Sequence, residues 1–549
     1  MTDTRSTHDF GTYDYVILGG GTAGCVLANR LSADPTVSVL LLEAGGKDNY
    51  PWIHLPIGYL KCIGNPRTDW CYRTEPDAGL NGRAIGYPRG RVLGGSSSIN
   101  GMLSLRGQAR DYDEWAHLTG DTRWSWEQVL PVFRRSERHW AGSNPWHGDR
   151  GEWRVARQRV RWPLLDDYVR AAQAAGIPLS TDYNRGNNFG IGAFEVNQRR
   201  GLRWNTVKAF LDPARGRPNL RIVTGALIER IVIEERRARG VEFIHAGERH
   251  RVSTRHETLL AAGAIGSPAI LQRSGVGPAG VLGAHGIPVV AELPGVGANL
   301  QDHLQLRMVF KLSGTETLNQ WVRSPWRLAA MALQYLVLRR GPLSMAPSQL
   351  GGFFHSSAAV ETPDLEFHIQ PLSLDRFGAP LHEFPAFTAS VCHLRPGSRG
   401  SVTLRDRDPG SAPIIAPRYL STPEDRQIAA QAIRLTRQIV DQPVMQKYRP
   451  VEYLPGAEIV ADEALAVAAG DIGTTIFHPS GTCAMGRAND AQAVTDSELR
   501  VRGIAALRVI DTSVMPTITS GNTNTPTIMI AERGAELVTS TRKSGGPLA

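Results

Sequence analysis

The string Gly19-Gly20-Gly21-Thr22-Ala23-Gly24 constrains this chain most, because of what flanks it. Tyr13-Asp14-Tyr15-Val16-Ile17-Leu18 before it reads as a buried strand, and Cys25 to Leu31 after it as a helix with small and apolar faces. A second apolar run, Val37-Ser38-Val39-Leu40-Leu41-Leu42, ends in Glu43, 24 positions beyond Gly19. Strand, G-x-G-x-x-G turn, helix and strand in this order form a βαβ unit that binds a dinucleotide. Gly19 permits the tight turn, Gly21 lets the backbone approach a pyrophosphate, and Gly24 allows close helix packing. Thr22 and Ala23 lie in the loop before that helix, whose N-terminal N–H groups are offered to the phosphates. Glu43, followed by Ala44, stands at the spacing from which an acid reaches an adenosine ribose. FAD and NAD both fit this unit alone.

At 549 residues the chain has room for two or three domains, or for one large core with an inserted second layer. Its net charge of +9 comes from scattered arginines with no basic, aromatic-interleaved stripe, which argues against a nucleic-acid partner. Five widely separated cysteines form no C-x-x-C pair and no Cys/His cluster at zinc spacing, so neither a disulfide framework nor a metal site is expected. Reduced thiols and a polar segment from Met1 to Tyr13 without a signal-peptide core point to a cytoplasmic protein. No apolar run reaches the roughly 18 residues that span a bilayer. The nearest, Leu328–Leu338, lies between Arg327 and Arg339 with Trp321 and Trp326 upstream. Its length favours a buried helix over a membrane foot, and peripheral membrane contact stays open.

Two longer strings narrow the choice of cofactor. Gly90-Arg91-Val92-Leu93-Gly94-Gly95-Ser96-Ser97-Ser98-Ile99-Asn100-Gly101 resembles the first signature of the glucose–methanol–choline oxidoreductases, and Gly263 to Gly277 resembles the second. With the opening glycine motif and the C-terminal strings described below, the resemblance runs from about Tyr13 to Glu536. It implies FAD, bound by a Rossmann-like α/β domain interleaved with an α+β substrate domain built on an antiparallel sheet. The implied FAD-binding parts are residues 1–155, 201–303 and 477–549, and the substrate parts 156–200 and 304–476. Cofactor contact is implied for Arg91, Leu93, Gly94, Gly95, Ser96, Asn100, Gly101, Met102 and Leu103, for Ala262 and Gly263, and for Ile228 at the adenine. Asp511 and Thr512 follow a late strand, Leu507–Ile510, near the ribityl–phosphate arm. Asn524, Pro526 and Thr527 open a helix over 525–538, whose positive end favours the negative charge of reduced flavin. Further strands are expected at Leu220–Val223, Ala226–Ile228, Ile231–Ile233 and Leu259–Ala264.

The C-terminal strings carry the chemistry. His478, in Ile476-Phe477-His478-Pro479-Ser480-Gly481-Thr482, precedes Asn522 by 44 positions. A histidine accepts a proton near neutral pH and an asparagine holds the oxygen that loses it. The resemblance makes this pair catalytic, with Asn522 where other members carry a second histidine. Ile476 and Phe477 flank the substrate, and Phe367, in the alternating segment Pro363–Gln370, is a candidate for the far wall. Ile99 stands where some members carry a histidine bonded to the flavin, so noncovalent FAD is expected. Ser104 replaces the usual aromatic or alanine and is a candidate for enlarging a local cavity. The implied reaction moves a hydride from a primary alcohol, aryl, furanic or aliphatic, to flavin N5, giving an aldehyde or, after a second oxidation, an acid. O₂ and a quinone-type carrier are both open as acceptors. A choline-type dehydrogenase is the nearest alternative and an FAD-containing hydroxynitrile lyase the alternative of another class; oligomeric state is open.

Overall fold

A computed structural model describes residues 7–376 and 378–543. The first six residues of the expected polar N-terminal segment (1–6) and the last residues of the expected C-terminal part (544–549) lie outside it. Fourteen strands in two large sheets organise the chain: β1 (His8–Leu18), β2 (Val39–Glu43), β3 (Gly190–Ala193), β4 (Leu220–Thr224), β5 (Ala226–Glu234), β6 (Arg237–His245), β7 (Glu248–Leu260), β8 (Leu304–Lys311), β9 (Leu350–Phe354), β10 (Leu365–Gln370), β11 (Ala386–His393), β12 (Val451–Leu454), β13 (Gly473–Thr475) and β14 (Leu507–Val509). The helices that position the site or pack on the sheets are α1 (Thr22–Leu31), α2 (Pro163–Ala174), α3 (Gly263–Arg273), α4 (Pro325–Leu338), α5 (Pro423–Val440), α6 (Asp462–Ile472) and α7 (Asn524–Lys543).

The first sheet runs β4-β2-β1-β7-β6-β5, with β14 beside β7. Its centre is parallel: Leu18 pairs with Leu42 on one side and Leu260 on the other. Tyr15 to Leu18 and all of β2 are buried. Apolar runs without alternation are what parallel strands covered on both faces require, and α1 packs against α7 on this sheet. The other edge, β5-β6-β7, is antiparallel. Two strands were expected between 226 and 233, but β5 is continuous. The intervening Arg230 stays in the ladder opposite Glu242 of β6, with which it forms an ion pair, while Glu229 bulges out of register and reaches Arg249 on β7.

The second sheet, β12-β8-β11-β10-β9-β3 with β13 beside β8, is antiparallel throughout. Alternation assigns its faces. Leu306, Met308, Phe310, Leu365, Phe367 and Ile369 join one hydrophobic core with residues of α2, α5 and α6. Gln305, His368 and Gln370 turn the other way, into a cleft between the sheets.

One expectation reverses. Leu328–Leu338 does not lie in the core: α4 buries only Met331 and Tyr335 and leaves Trp326, Leu328, Leu333, Leu336, Val337 and Leu338 exposed. Its apolar residues occur nearly all round the helix, and one flank of a single helix is all that the protein surface covers. No described helix is long and apolar enough to cross a membrane.

The tightest packing in the βαβ unit is at Gly24, where a Cβ would lie 1.9 Å from the Gly19 carbonyl oxygen. Gly24→Ala is expected to destabilise by about 1–3 kcal/mol, as overpacking does. Denaturant unfolding checks this, and a variant as stable as wild type would show that the turn relaxes freely.

Candidate functional site

A cleft of about 280 Å³ runs from the carboxyl ends of β1, β2 and β7 to the second sheet. Ligands of α/β sheets bind at such strand ends. Its first half is lined mostly by backbone. Gly21, the N-cap of α1, offers no side chain to the first-turn N–H groups, and that turn carries no acid. At Gly95 a Cβ would lie 2.8 Å from Gly21 Cα, so glycine at 95 is what lets the two loops meet. Thr22 donates to Asn524 Oδ1 at 2.8 Å, and Asn524 Nδ2 is left buried without a partner at the start of α7. A bare helix N-terminus with an unmatched donor beside it suits a phosphate.

Two carboxylates stand in this half. Glu43 accepts from the backbone N–H of Gly20 at 2.8 Å and Gly45 at 2.7 Å. Burial outweighs these bonds and pushes its carboxyl up to about 7. Asp511 accepts from Gly263 N–H (2.9 Å), Ser267 Oγ (2.6 Å) and Ser513 N–H (2.8 Å), and burial again raises its carboxyl. Ile228, Leu227, Ala262, Trp70 and Tyr72 complete the walls there.

The other half contains His478 and Asn522. His478 sits in a loop leaving β13. Its backbone N–H donates to Asp302 Oδ1 at 2.8 Å, and the preceding Phe477 is held at φ +74° while its carbonyl accepts from Arg89 Nη2 at 2.9 Å. Asn522 follows a loop anchored by Asp111, which accepts from Ser520 N–H and Oγ, both at 2.7 Å. These anchors bring Asn522 Nδ2 within 2.9 Å of His478 Nε2.

The proton positions follow from a chain of hydrogen bonds. His303 Nε2 lies 2.9 Å from the Leu394 carbonyl, which can only accept, so Nε2 carries the hydrogen. Burial lowers the His303 pKa, which favours its neutral form and leaves Nδ1 as a lone pair. His478 Nδ1, 3.0 Å away, must then donate. That leaves His478 Nε2 as an acceptor and orients Asn522 with its NH₂ toward it and Oδ1 unpaired. Burial above all, with the Arg89 guanidinium adding to it, holds His478 well below the ordinary histidine range. The ring is neutral with its basic nitrogen facing the cleft.

Of the residues singled out from the sequence, Gly19, Gly21, Thr22, Ala23, Glu43, Ala44, Gly95, Ser96, Asn100, Gly101, Met102, Leu103, Ile228, Ala262, Gly263, Asp511, Thr512, Asn524, Thr527, Ile476, Phe477, His478 and Asn522 line the cleft. Gly24, Arg91, Leu93, Gly94 and Pro526 stand behind its walls; Arg91 lies over the Trp70 ring. Phe367 is a correction. It packs on Phe354 with ring centroids 4.7 Å apart, on the core face of β10, while its neighbour His368 takes the cleft. Ser104 enlarges no part of the cleft: it is buried, with its backbone bonded to Glu195 and Asn184.

Asp302, His303, Gln305, His368 and Gln370 escaped sequence reading. They lie on or beside two strands of the second sheet, and only pairing between distant strands brings them together. His303, Glu366 and Cys392 also converge, with ligand-type atoms within 4.8 Å of one another, a grouping that the sequence spacing does not suggest. Both His303 ring nitrogens are already engaged by His478 and Leu394, so this group backs the histidine pair.

Comparison with known proteins agrees with this layout. Residues 13–305 and 396–531 match the N- and C-terminal family models described as GMC oxidoreductase. The mitochondrial choline dehydrogenase of Mus musculus is 39% identical over 96% of this chain and 89% of its own length. The alcohol dehydrogenase [acceptor] of Pseudomonas putida is 39% identical over 96% and 95%. The FAD-dependent oxidoreductase from Chaetomium thermophilum superposes with a TM-score of 0.88 at 27% identity, covering 97% of this chain and all of the other.

The tautomer assignment is open to neutron diffraction. Deuterons are expected on His303 Nε2 and His478 Nδ1, and none on His478 Nε2 at neutral pH; a deuteron on the last would overturn the assignment.

Proposed function

The chain belongs to the GMC oxidoreductase family, and from that premise we propose that His478 and Asn522 are the catalytic pair of an FAD-dependent alcohol oxidoreductase acting on uncharged primary alcohols. The enzyme class itself follows from the family and its alcohol-oxidising relatives. FAD, when bound, supplies the hydride acceptor. Gly21, Thr22, Glu43, Asp511 and Asn524 are the residues that would hold it, a set suited to phosphate and hydroxyl groups.

The observation that carries the reading is the bare Nε2 of His478, facing the cleft beside the Asn522 amide. An alcohol hydroxyl entering between them donates to Nε2 and accepts from Nδ2, which fixes the oxygen. His478 then takes the hydroxyl proton, through a nitrogen chosen by the His303 contact behind the ring. Positioned proton transfer of this kind contributes about 10²–10⁴-fold. His478→Ala is therefore expected to slow anaerobic flavin reduction by about that factor with the flavin still bound. An unchanged rate would remove His478 as the base.

The pH dependence has a definite sign. A histidine whose pKa is depressed stays neutral as pH falls through about 6.5, where an ordinary imidazole protonates. Flavin reduction is expected to hold through that range and to decline only at lower pH. The same depression makes the unfolded chain bind more protons below about 6.5, so this group's contribution to stability shrinks as pH falls from there toward the folded pKa.

The substrate reading rests on what surrounds the pair. Gln305, Gln370, Ser348, Ile476 and Phe477 are uncharged wall residues, and among the described residues the acids lining the cleft are Glu43 and Asp511, both at the far end. A quaternary ammonium calls for an aromatic cage and negative charge. Neutral primary alcohols are expected to bleach the flavin anaerobically faster than choline; the opposite order would favour the choline reading. Noncovalent FAD is supported by Ile99, a cleft residue with no nucleophile. Acid precipitation is expected to leave the flavin in the supernatant.

A further inference from the structure

The exposed helix α4 is unlike the rest of the surface. Trp326 is 86% exposed, Leu336 67% and Val337 69%, whereas Met331 (3%) and Tyr335 (4%) hold the helix to the protein. Tyr335 is tied down by its hydroxyl, which donates to the Gly201 carbonyl at 2.9 Å. Six of the 16 exposed large hydrophobic residues among those described lie on this one 14-residue helix. Scattered exposed leucines are ordinary, but a contiguous patch marks a contact surface.

Charge identifies the partner. From Thr317 to Val360 there is no aspartate or glutamate, and the charged residues are Arg323, Arg327, Arg339 and Arg340. They bracket the helix at both ends; Arg323 and Arg327 are each shared with an exposed carboxylate, Glu383 and Glu316. The rim continues into neighbouring segments. Arg159 donates to the Arg339 carbonyl at 2.8 Å, and exposed Arg199 and Arg200 adjoin Gly201, the partner of Tyr335. An apolar strip carrying a tryptophan and edged with arginine complements an anionic lipid surface. A second copy of the chain fits worse, because antiparallel pairing of α4 across a twofold axis would bring Arg339 and Arg340 against Arg323 and Arg327, whose carboxylate partners Glu383 and Glu316 are already engaged. Fourteen residues rise about 21 Å, too short to span a bilayer but long enough to lie in its interface.

We infer that α4 is an interfacial anchor that seats this protein on an anionic membrane surface, its exposed apolar residues in the headgroup–acyl boundary and its arginines on the phosphates. The anchor adjoins the cleft. The chain passes from Arg339 through a 3₁₀ turn at Pro342–Ser344 to Pro347 and Ser348, which line the cleft beside His368. A protein held this way presents that wall of its cleft near the bilayer. The inference stands on surface features and is independent of the substrate reading.

Flotation of the FAD-loaded protein with vesicles tests it, using phosphatidylcholine alone and phosphatidylcholine with phosphatidylglycerol. Partition is expected to be stronger on the vesicles containing phosphatidylglycerol and to weaken as salt rises. L333E/L336E is expected to reduce partition by about tenfold or more on both vesicles. R327Q/R340Q is expected to reduce it chiefly on the anionic ones. Neither pair touches the cleft, so flavin reduction by a soluble alcohol should remain at the wild-type rate and report intact folding. Absence of flotation with both vesicle types would overturn the inference. So would a concentration-dependent dimer dissolved by L333E/L336E without vesicle binding, which would make a second copy the occupant.

Discussion

The carboxylate of Asp302 is the junction on which the geometry of the site depends. It accepts from Tyr87 Oη (2.9 Å), Tyr419 Oη (2.5 Å), Thr475 Oγ1 (2.6 Å), His478 N–H (2.8 Å) and His303 N–H (3.0 Å). Removing a carboxylate from water costs several kcal/mol unless donors replace the water. Here five donors do so, four of them from three distant stretches and one from the next residue, and each stretch is thereby located relative to the others. The backbones of His303 and His478 are two of the five. Their rings face each other because both main chains bond the same carboxylate.

Around that junction the cleft is electrostatically divided. At the βαβ end, helix N-termini and unmatched donors favour anionic groups, and Glu43 and Asp511 are held by backbone N–H groups with their carboxyls raised by burial. At the other end no wall carboxylate faces His478, and a depressed pKa keeps that ring neutral. One cleft thus suits a negatively charged dinucleotide at one end and proton abstraction from a neutral hydroxyl at the other. The outer surface is divided too, with apolar α4 set in a basic rim beside the same cleft.

Legibility in the sequence followed the range of the interactions. The βαβ unit could be read because its strands, glycines and terminal acid lie within about thirty residues and each has a local physical reason. Gly19, Gly21 and Gly24 belong to one turn and one helix start. His478 and Asn522 could be placed by motif order, since each sits in a short string of small and polar residues. Phe367 could not be read correctly: alternation shows that 367 and 368 face opposite sides, but only the sheet's packing on α5 shows which side is core. The continuity of β5 was hidden for a similar reason, because Glu229 and Arg230 look like a break until their cross-strand partners are known. α4 was misread because its length and apolar content suit burial, and its exposure depends on what the rest of the chain leaves uncovered.

By itself, the sequence determined that this protein contains a dinucleotide-binding α/β unit, belongs to one oxidoreductase family and carries a single titrating residue in its proposed catalytic pair. Those properties reside in contiguous strings whose local geometry and order are encoded residue by residue. The tertiary structure decided which nitrogen of His478 is the base, through a relay from Leu394 across His303 that joins segments 91 and 175 residues apart. It also decided the neutral character of the wall opposite and the exposure of α4. Each of these depends on burial and on the partner supplied by another sheet or loop, and neither is defined until the chain has closed on itself.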